Sequence, residues 1–292
     1  MPLNVADDPE GNKAPFSSRS MTTILDTILE DVREALSTAK RNRPVADICR
    51  MAADAPPPRD FHAALAASFG LIAEIKERSP SVGPMRAENI REAATAYAES
   101  PVVRAVSVLT NERHFGMTIE RLRTIRDEVP HPVLRKDFFI EEYQIREARA
   151  FGADAILLMA NVLDSARLEG FYNLTRELGM EALFEVHSPE EIGTLPAGAR
   201  IVGINSRKFK SDSGFVAAGA SSEKDFSLDP GVFGLVDRLP SGALKVAESG
   251  ISPATIDRVR ENFQAALVGT SLLRDPRGIR ACLREFESAA GC

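Results

Sequence analysis

Eight short apolar runs recur from Leu71 to the C-terminal region, each followed by a charged amphipathic segment. This alternation constrains the fold more than any other feature. The runs are LIAEIK from Leu71, AVSVL from Ala105, VLRK from Val133, AILLM from Ala155, EALFEV from Glu181, IVGIN from Ile201, LKVAES from Leu244 and AALVG from Ala265. Helix candidates between them are ENIREAATAYAE, TIERLRTIRDEV, EEYQIREARAF, DSARLEGFYNLTREL and PATIDRVRENF, with a last helix near Arg277 to Ser288. Several open on a Thr, Asp or Ser-Pro cap and close near Gly or Pro. Strands alternating with helices imply a parallel sheet. Eight such units in a chain of 292 residues fit an α/β fold of the (β/α)8 TIM-barrel type. A doubly wound open sheet is the alternative, weakened because no GxGxxG follows the first strand.

Upstream of the runs, Ile24, Ile28, Leu29, Val32 and Leu36 fall on one stripe with charges between them, which predicts a helix over Ile24 to Arg43. AADAPPPRD then breaks the helix and forms an extended connector. Residues 1–20 are polar and rich in Pro, Gly and Ser, with no apolar central segment. They read as a disordered tail, not a secretory signal. Met21 opens a better pattern and is an alternative start. The expected organisation is therefore a tail over 1–20 and one barrel domain over 21–292 carrying an N-terminal helical extension.

Composition removes several function classes. A net charge of −6 argues against a nucleic-acid surface, although an acidic protein can still hold a local basic pocket. Cys49, Cys282 and Cys292 are scattered, without a CxxC pair, which reads as reduced thiols in a cytoplasm. His62, His114, His131 and His187 show no HExxH or other local ligand spacing, so no metal site is expected. No apolar run approaches the ~18 residues of a membrane span. The expected partner is a small molecule, with no nucleic acid and no membrane, and the chain reads as a monomer or weak homo-oligomer.

In a barrel of this kind the chemistry sits at the C-terminal ends of the strands. Inward parity there selects Glu74 and Lys76 after the first run, Lys136 with Phe138 after the third, and Glu185 in the fifth. It selects Asn205 then Arg207 in the sixth, Glu248 and Ser249 in the seventh, and Gly269 then Thr270 in the eighth. At any single position, a solvated charge or a structural ion pair is an equally good reading. As a set, two lysines and several acids converging on one mouth are costly to bury without a purpose, and mixed acids and bases suit proton transfer. ESGIS and VGTSLLR place glycines after adjacent strands, where backbone N–H groups can approach an anion, and SPSVG adds hydroxyls. Either glycine motif alone is an ordinary turn; both in register point to a phosphate. Phe115 and Phe138 could wall an aromatic substrate or simply pack. The connection KFKSDSGFVAAGASSEKDFSLDPG after GINSR is long for a barrel, either a tolerated insertion or a lid.

IAEIKERSPSVG, VSVLTNERHF, PVLRKDFFIEEYQI, GADAILLM, FEVHSPEE, VGINSRKFK, VAESGI and LVGTSLLR, in this order, resemble the signature blocks of the indole-3-glycerol phosphate synthase family, and PPPRDFHAAL resembles its N-terminal extension. The resemblance spans Ile24 to Phe286, and EIKxxSPS with LRKDF carries most of its specificity. It implies a carboxy-lyase of tryptophan biosynthesis that closes the ring of 1-(2-carboxyphenylamino)-1-deoxyribulose 5-phosphate with loss of carbon dioxide and water, using no cofactor. By position it implies that Lys136 is the general acid at the substrate carbonyl, and that Glu185 and Lys76 serve the later dehydration. Glu74 is then a base or the partner that orients the lysines. Asn205 helps hold the reacting chain and Arg207 anchors the site. Ser79, Ser249, Gly250, Gly269 and Thr270 resemble the phosphate cradle, with Glu248 beside it, and Phe115, Phe138, Leu157 and Leu267 the wall around the anthranilate ring. HFGMTIERL departs from the family pattern after the second strand, Thr270 stands where Ser or Glu is also common, and the loop after Arg207 is longer by about a dozen residues. A phosphoribosylanthranilate isomerase would share the glycines but use an Asp and a Cys, and no Cys lies at a strand end. A barrel that binds a phosphosugar without catalysis is the other alternative, opposed by the intact set of acids and lysines.

Overall fold

The computed structural model describes residues 23–207 and 228–291. The expected tail over 1–20, the alternative start at Met21, Cys292 and most of the long connection after Arg207 lie outside the described residues. The eight apolar runs form eight parallel strands: β1 (Gly70–Ile75), β2 (Val103–Leu109), β3 (Val133–Lys136), β4 (Ala155–Met159), β5 (Glu181–Val186), β6 (Ile201–Asn205), β7 (Leu244–Glu248) and β8 (Ala265–Val268). Each strand pairs with its sequence neighbours, and β1 pairs with both β2 and β8, so the sheet closes into a barrel with no free edge. The runs read as near-continuous apolar stretches because both faces are covered, by the barrel interior on one side and helices on the other. Every residue of β1, β4, β5, β6 and β8 is buried.

The helices follow the predicted pattern in most places. They are α1 (Ile24–Asn42), α2 (Val45–Asp54), α3 (Phe61–Ala66), α4 (Ala87–Glu99), α5 (Glu112–Phe115), α6 (Ile119–Glu128), α7 (Glu142–Ala150), α8 (Ser165–Glu177), α9 (Pro189–Ile192), α10 (Thr270–Leu273) and α11 (Ile279–Ala290). Thr23 opens α1 with a capping box in which Asp26 bonds back to the Thr23 backbone, and Leu25, Ile28, Val32 and Leu36 are buried. The connector after it is shorter than expected. Ala52 to Asp54 still belong to α2, whose face packs on α7, and Asp60 caps α3 by accepting from the Ala63 N–H at 2.8 Å. Only the intervening Ala-Pro-Pro-Pro-Arg-Asp stretch, residues 55–60, is non-helical.

PATIDRVRENF is the other difference. Its regular core is only a 3-10 turn over Ile256–Arg258. The Thr255 hydroxyl accepts from Ser252 N at 2.9 Å and lies 3.3 Å from Ser252 O, local bonds that compete with a helical ladder. The backbone bonds that follow mix three-residue and four-residue spacings.

Several polar links fasten the N-terminal extension to the barrel. The Tyr143 hydroxyl donates to Arg43 O at 2.9 Å, and the Arg59 backbone N–H donates to the fully buried Asp154 carboxylate at 2.7 Å. Midway along α1, the Asp31 carboxylate meets His114 at 2.8 Å and Arg113 at 2.6 Å on α5, after β2.

Candidate active site

The C-terminal ends of the strands open into a cavity of about 310 Å3, the size of a small-molecule site. All the residues selected by strand parity and by resemblance line it: Glu74, Lys76, Ser79, Phe115, Lys136, Phe138, Leu157, Glu185, Asn205, Arg207, Glu248, Ser249, Gly250, Leu267, Gly269 and Thr270. Period-two alternation explains the convergence. Within each strand the residue that points inward is fixed by its neighbours, and the closed register brings the eight ends to one rim.

Glu74 joins the two lysines of the mouth. It is 3% exposed; its Oε1 pairs with Lys76 Nζ, and its Oε2 lies 3.8 Å from Lys136 Nζ. Burial alone would push the Glu74 carboxyl up, but the charges of Lys76 and Lys136 outweigh it and hold the carboxyl below the usual range, so it stays ionised. Burial lowers Lys76 below an ordinary lysine, with Glu74 offsetting part of the fall. Burial acts on Lys136 in the same direction, yet Glu74, Glu185 and Glu248 together outweigh it and hold its ammonium above the ordinary value. The two lysines of one site are thus tuned apart, Lys76 the stronger acid and Lys136 the more firmly protonated of the two.

Across the mouth, Glu185 and Glu248 are each 1% exposed. None of their four carboxylate oxygens has a hydrogen-bond partner among the described residues. Burial first, and the neighbouring Glu185 charge second, push the Glu248 carboxyl well above the usual range. Two buried carboxyls aimed into the cavity can share a proton with each other and exchange hydrogen bonds with a bound small molecule. Two glycines make room for these acids. A Cβ on Gly203 of β6 would stand 2.0 Å from Glu248 Oε1, and one on Gly269 would stand 2.4 Å from Glu74 Oε1. Gly269 therefore has a second reason to be glycine besides the anion approach read from sequence.

The opposite end is built from hydroxyls and turns. Ser249 (φ 67°) and Gly250 (φ 71°) are both left-handed, and Ser249 is the only non-glycine residue with positive φ among the described residues. Such strain persists only where the surroundings enforce it. Here the Ser206 hydroxyl donates to Ser249 O at 3.0 Å and the Ser271 hydroxyl to Ile251 O at 2.6 Å. Ser79 and Ser81 hydroxyls lie 2.9 Å apart in the turn after β1. Phe115, Phe138, Leu157 and Leu267 line the apolar part of the cavity, joined by Leu109 and Met159. Asn205 Oδ1 accepts from the Arg207 N–H at 2.9 Å, which fixes the chain as it leaves β6.

Sequence reasoning missed three supports of this site. Gly203 gave no signal beyond an ordinary strand residue. Arg135 and Asp137 flank Lys136 with opposite parity and are buried behind it. Arg135 pairs with Asp137 at 3.1 Å and Glu147 at 3.0 Å, and Thr110 donates to Asp137 at 2.7 Å. His187, one residue past β5, lies between Glu185 and Glu191. For the last two, the signal was a polar residue next to a catalytic candidate.

A closed (β/α)8 barrel with lysines and glutamates sunk into its C-terminal mouth belongs to the barrel enzymes that work by acid–base chemistry on small substrates. The family model of indole-3-glycerol phosphate synthase matches residues 25–285. The chain is 42% identical over 281 residues to the indole-3-glycerol phosphate synthase of Micrococcus luteus, covering 92% of this chain and 98% of that one. It is 40% identical over 260 residues to indole-3-glycerol phosphate synthase 2 of Streptomyces coelicolor, covering 87% and 95% respectively. This chain belongs to the indole-3-glycerol phosphate synthase family. Among solved structures, 3-hexulose-6-phosphate synthase from Salmonella typhimurium matches with a TM-score of 0.54 at 12% identity, over 76% of this chain and 98% of that one. Tryptophan synthase subunit alpha from Legionella pneumophila matches with a TM-score of 0.52 at 14% identity, over 79% and 98%. At such identities these two speak to the barrel alone.

Proposed function

We propose that the cavity closes the ring of 1-(2-carboxyphenylamino)-1-deoxyribulose 5-phosphate to give indole-3-glycerol phosphate, carbon dioxide and water. The observation that carries this reading is the pair of buried lysines at one mouth, both held against the Glu74 carboxylate. The aromatic carbon bearing the carboxylate attacks the substrate carbonyl. Negative charge develops on the carbonyl oxygen, and Lys136, whose ammonium is held protonated chiefly by Glu74 and then Glu185, stabilises that oxygen and supplies its proton. Carbon dioxide leaves with its bonding electrons returned to the ring. The hydroxyl formed must then depart as water while a proton is removed from the adjacent ring carbon that bears the nitrogen, so that the new ring double bond forms between them. Lys76, made the stronger acid by burial, protonates the leaving hydroxyl, and Glu185 accepts the proton. Glu74 keeps both lysines oriented. Much of the acceleration comes from folding an extended substrate so that ring and carbonyl meet.

The same reading assigns Phe115, Phe138, Leu157 and Leu267 to the anthranilate ring, and Ser79, Ser249, Gly250, Gly269 and Thr270 to the phosphate. Asn205, Arg207 and Glu248 contact the chain between them. Left-handed Ser249 and Gly250 support the phosphate assignment, because such turns present backbone N–H groups to anions. Residues 21–292 act as one domain, supported by the polar links between the N-terminal helices and the barrel. No helix among the described residues is long and apolar enough to cross a membrane. We place the enzyme in the cytoplasm on its reduced-thiol composition, acting on a phosphosugar without nucleic acid, as a monomer or weak homo-oligomer. Adding the substrate to the folded protein and following indole fluorescence tests the reading. Product is expected, and a folded protein that yields none contradicts it.

A further inference from the structure

His187 belongs to no role assigned above, yet it is built into the site with unusual care. It follows β5 directly, and its side chain is 14% exposed. Its backbone N–H donates to Glu191 Oε2 at 2.7 Å, and its Nδ1 lies 3.2 Å from the same oxygen. Its Nε2 lies 3.5 Å from Glu185 Oε1. Glu191 is itself held on α9, where its N–H donates to the Ser188 hydroxyl at 3.3 Å. The imidazole therefore stands between two carboxyl groups, one on each ring nitrogen.

A neutral imidazole has one donor and one acceptor nitrogen, whereas an ionised carboxylate only accepts. Either neutral tautomer would turn a lone pair toward one of the carboxyls; only the imidazolium presents an N–H to both, in a hydrogen bond at Nδ1 and a 3.5 Å ion pair at Nε2. The charged groups facing His187 are Glu185 from its own strand, Glu191 from α9 and Lys136 from β3, and the two acids outweigh burial and the lysine in favour of the charged form. On its far side Glu185 faces Glu248, close enough for the two carboxyls to share a proton. Two close carboxyls hold one proton more readily than none, so something must decide which of them carries it.

We propose that His187, anchored by Glu191, is the positioning residue of Glu185: its imidazolium is the counter-charge that keeps Glu185 as the carboxylate of the Glu185–Glu248 pair and leaves the pair's proton on Glu248. Glu185 is then the ready base of the dehydration and Glu248 a hydrogen-bond donor to the substrate. The histidine never touches substrate; it acts through Glu185. The inference rests on the role given to Glu185 above, but its first test does not need turnover.

In the substrate-free protein, the imidazole nitrogens of His187 are followed by NMR against pH, assigned with His187→Gln. His187 is expected to titrate above the ordinary histidine value of about 6.5, and Glu185→Gln is expected to bring it down. A His187 that is neutral at pH 6, or indifferent to Glu185→Gln, overturns the inference whether or not the protein makes product. The second test is the pH profile of kcat/KM. Loss of the cation makes an ionised Glu185 harder to maintain, so the acidic limb should move up by about one pH unit in His187→Gln, and in the same direction by less in Glu191→Gln. A uniform loss of rate with an unmoved limb would mean a merely structural histidine. If His187→Gln does not fold, Glu191→Gln and Glu185→Gln still decide the matter.

Discussion

At the residue scale, the acids of the mouth are held by what their neighbours lack. Glu248 fits because Gly203 has no side chain, so Gly203→Ala should swing the carboxyl away from the cavity. Misplacing a group by an ångström costs about 100-fold in rate, and that loss in kcat/KM is expected here with a destabilisation of about 1–3 kcal/mol. Steady-state kinetics and thermal melts would check both. Glu248 also makes a prediction about stability. Its carboxyl is pushed well up by burial and by Glu185, so its folded pKa lies above its unfolded one. The contribution it makes to stability is fully present below the unfolded value and is lost as pH rises through the folded one. Glu248→Gln removes that penalty. The variant should melt higher than the parent at pH 8 and lose this advantage toward pH 4, while its activity falls at least about 10-fold. A melting difference that does not change with pH would contradict the assigned protonation. Gly203 was not legible in the sequence because a glycine inside a strand looks like a weak strand residue, and its partner Glu248 lies more than forty positions away. Glu74, Lys76, Lys136 and Glu185 were legible because each is a charge in an apolar run with inward parity.

At the element scale, β3 is short and carries Lys136 at its end. Its direction is set from outside the barrel by Arg135. The guanidinium is 4% exposed and meets Asp137, Glu147, the Thr110 hydroxyl at 2.9 Å and the Gln144 carbonyl at 2.9 Å. This network bolts the strand end to α7. Arg135→Met would leave two buried carboxylates unpaired. A loss of about 3–5 kcal/mol is expected from such a broken pair, measurable by urea denaturation, together with lower turnover as Lys136 loses its support. LRKDF drew attention to its lysine and phenylalanine. The outward pair was overlooked because charges facing away from a barrel usually meet solvent, and only the packing of α7 shows that these do not. The reading of PATIDRVRENF as a full helix failed for a related reason. Apolar periodicity was present, but the Thr255 hydroxyl takes local backbone partners, and a pattern of hydrophobicity does not register that competition.

At the scale of the whole molecule, eight repeats of one local pattern suffice to specify the barrel. Each strand buries both faces, each neighbour pairs in parallel, and β1 closes on β8. That is why the strand count could be read from periodicity alone, whereas α2 and α3, which lie outside the repeat, were not read as helices, and only the last three residues of α2 fell in the expected connector. Closure is also what turns eight separate sequence signals into one site, since it is only at the common rim that Lys136 can feel Glu74, Glu185 and Glu248 together. The central claim is that this ammonium meets the carbonyl oxygen, and gives it a proton, as the ring closes. Kinetics of Lys136→Ala with the ring-closure substrate test it most directly. Because the bond matters most in the transition state, kcat should fall by at least about 100-fold with KM changed far less. A folded Lys136→Ala enzyme that turns over at the parent rate would contradict the account.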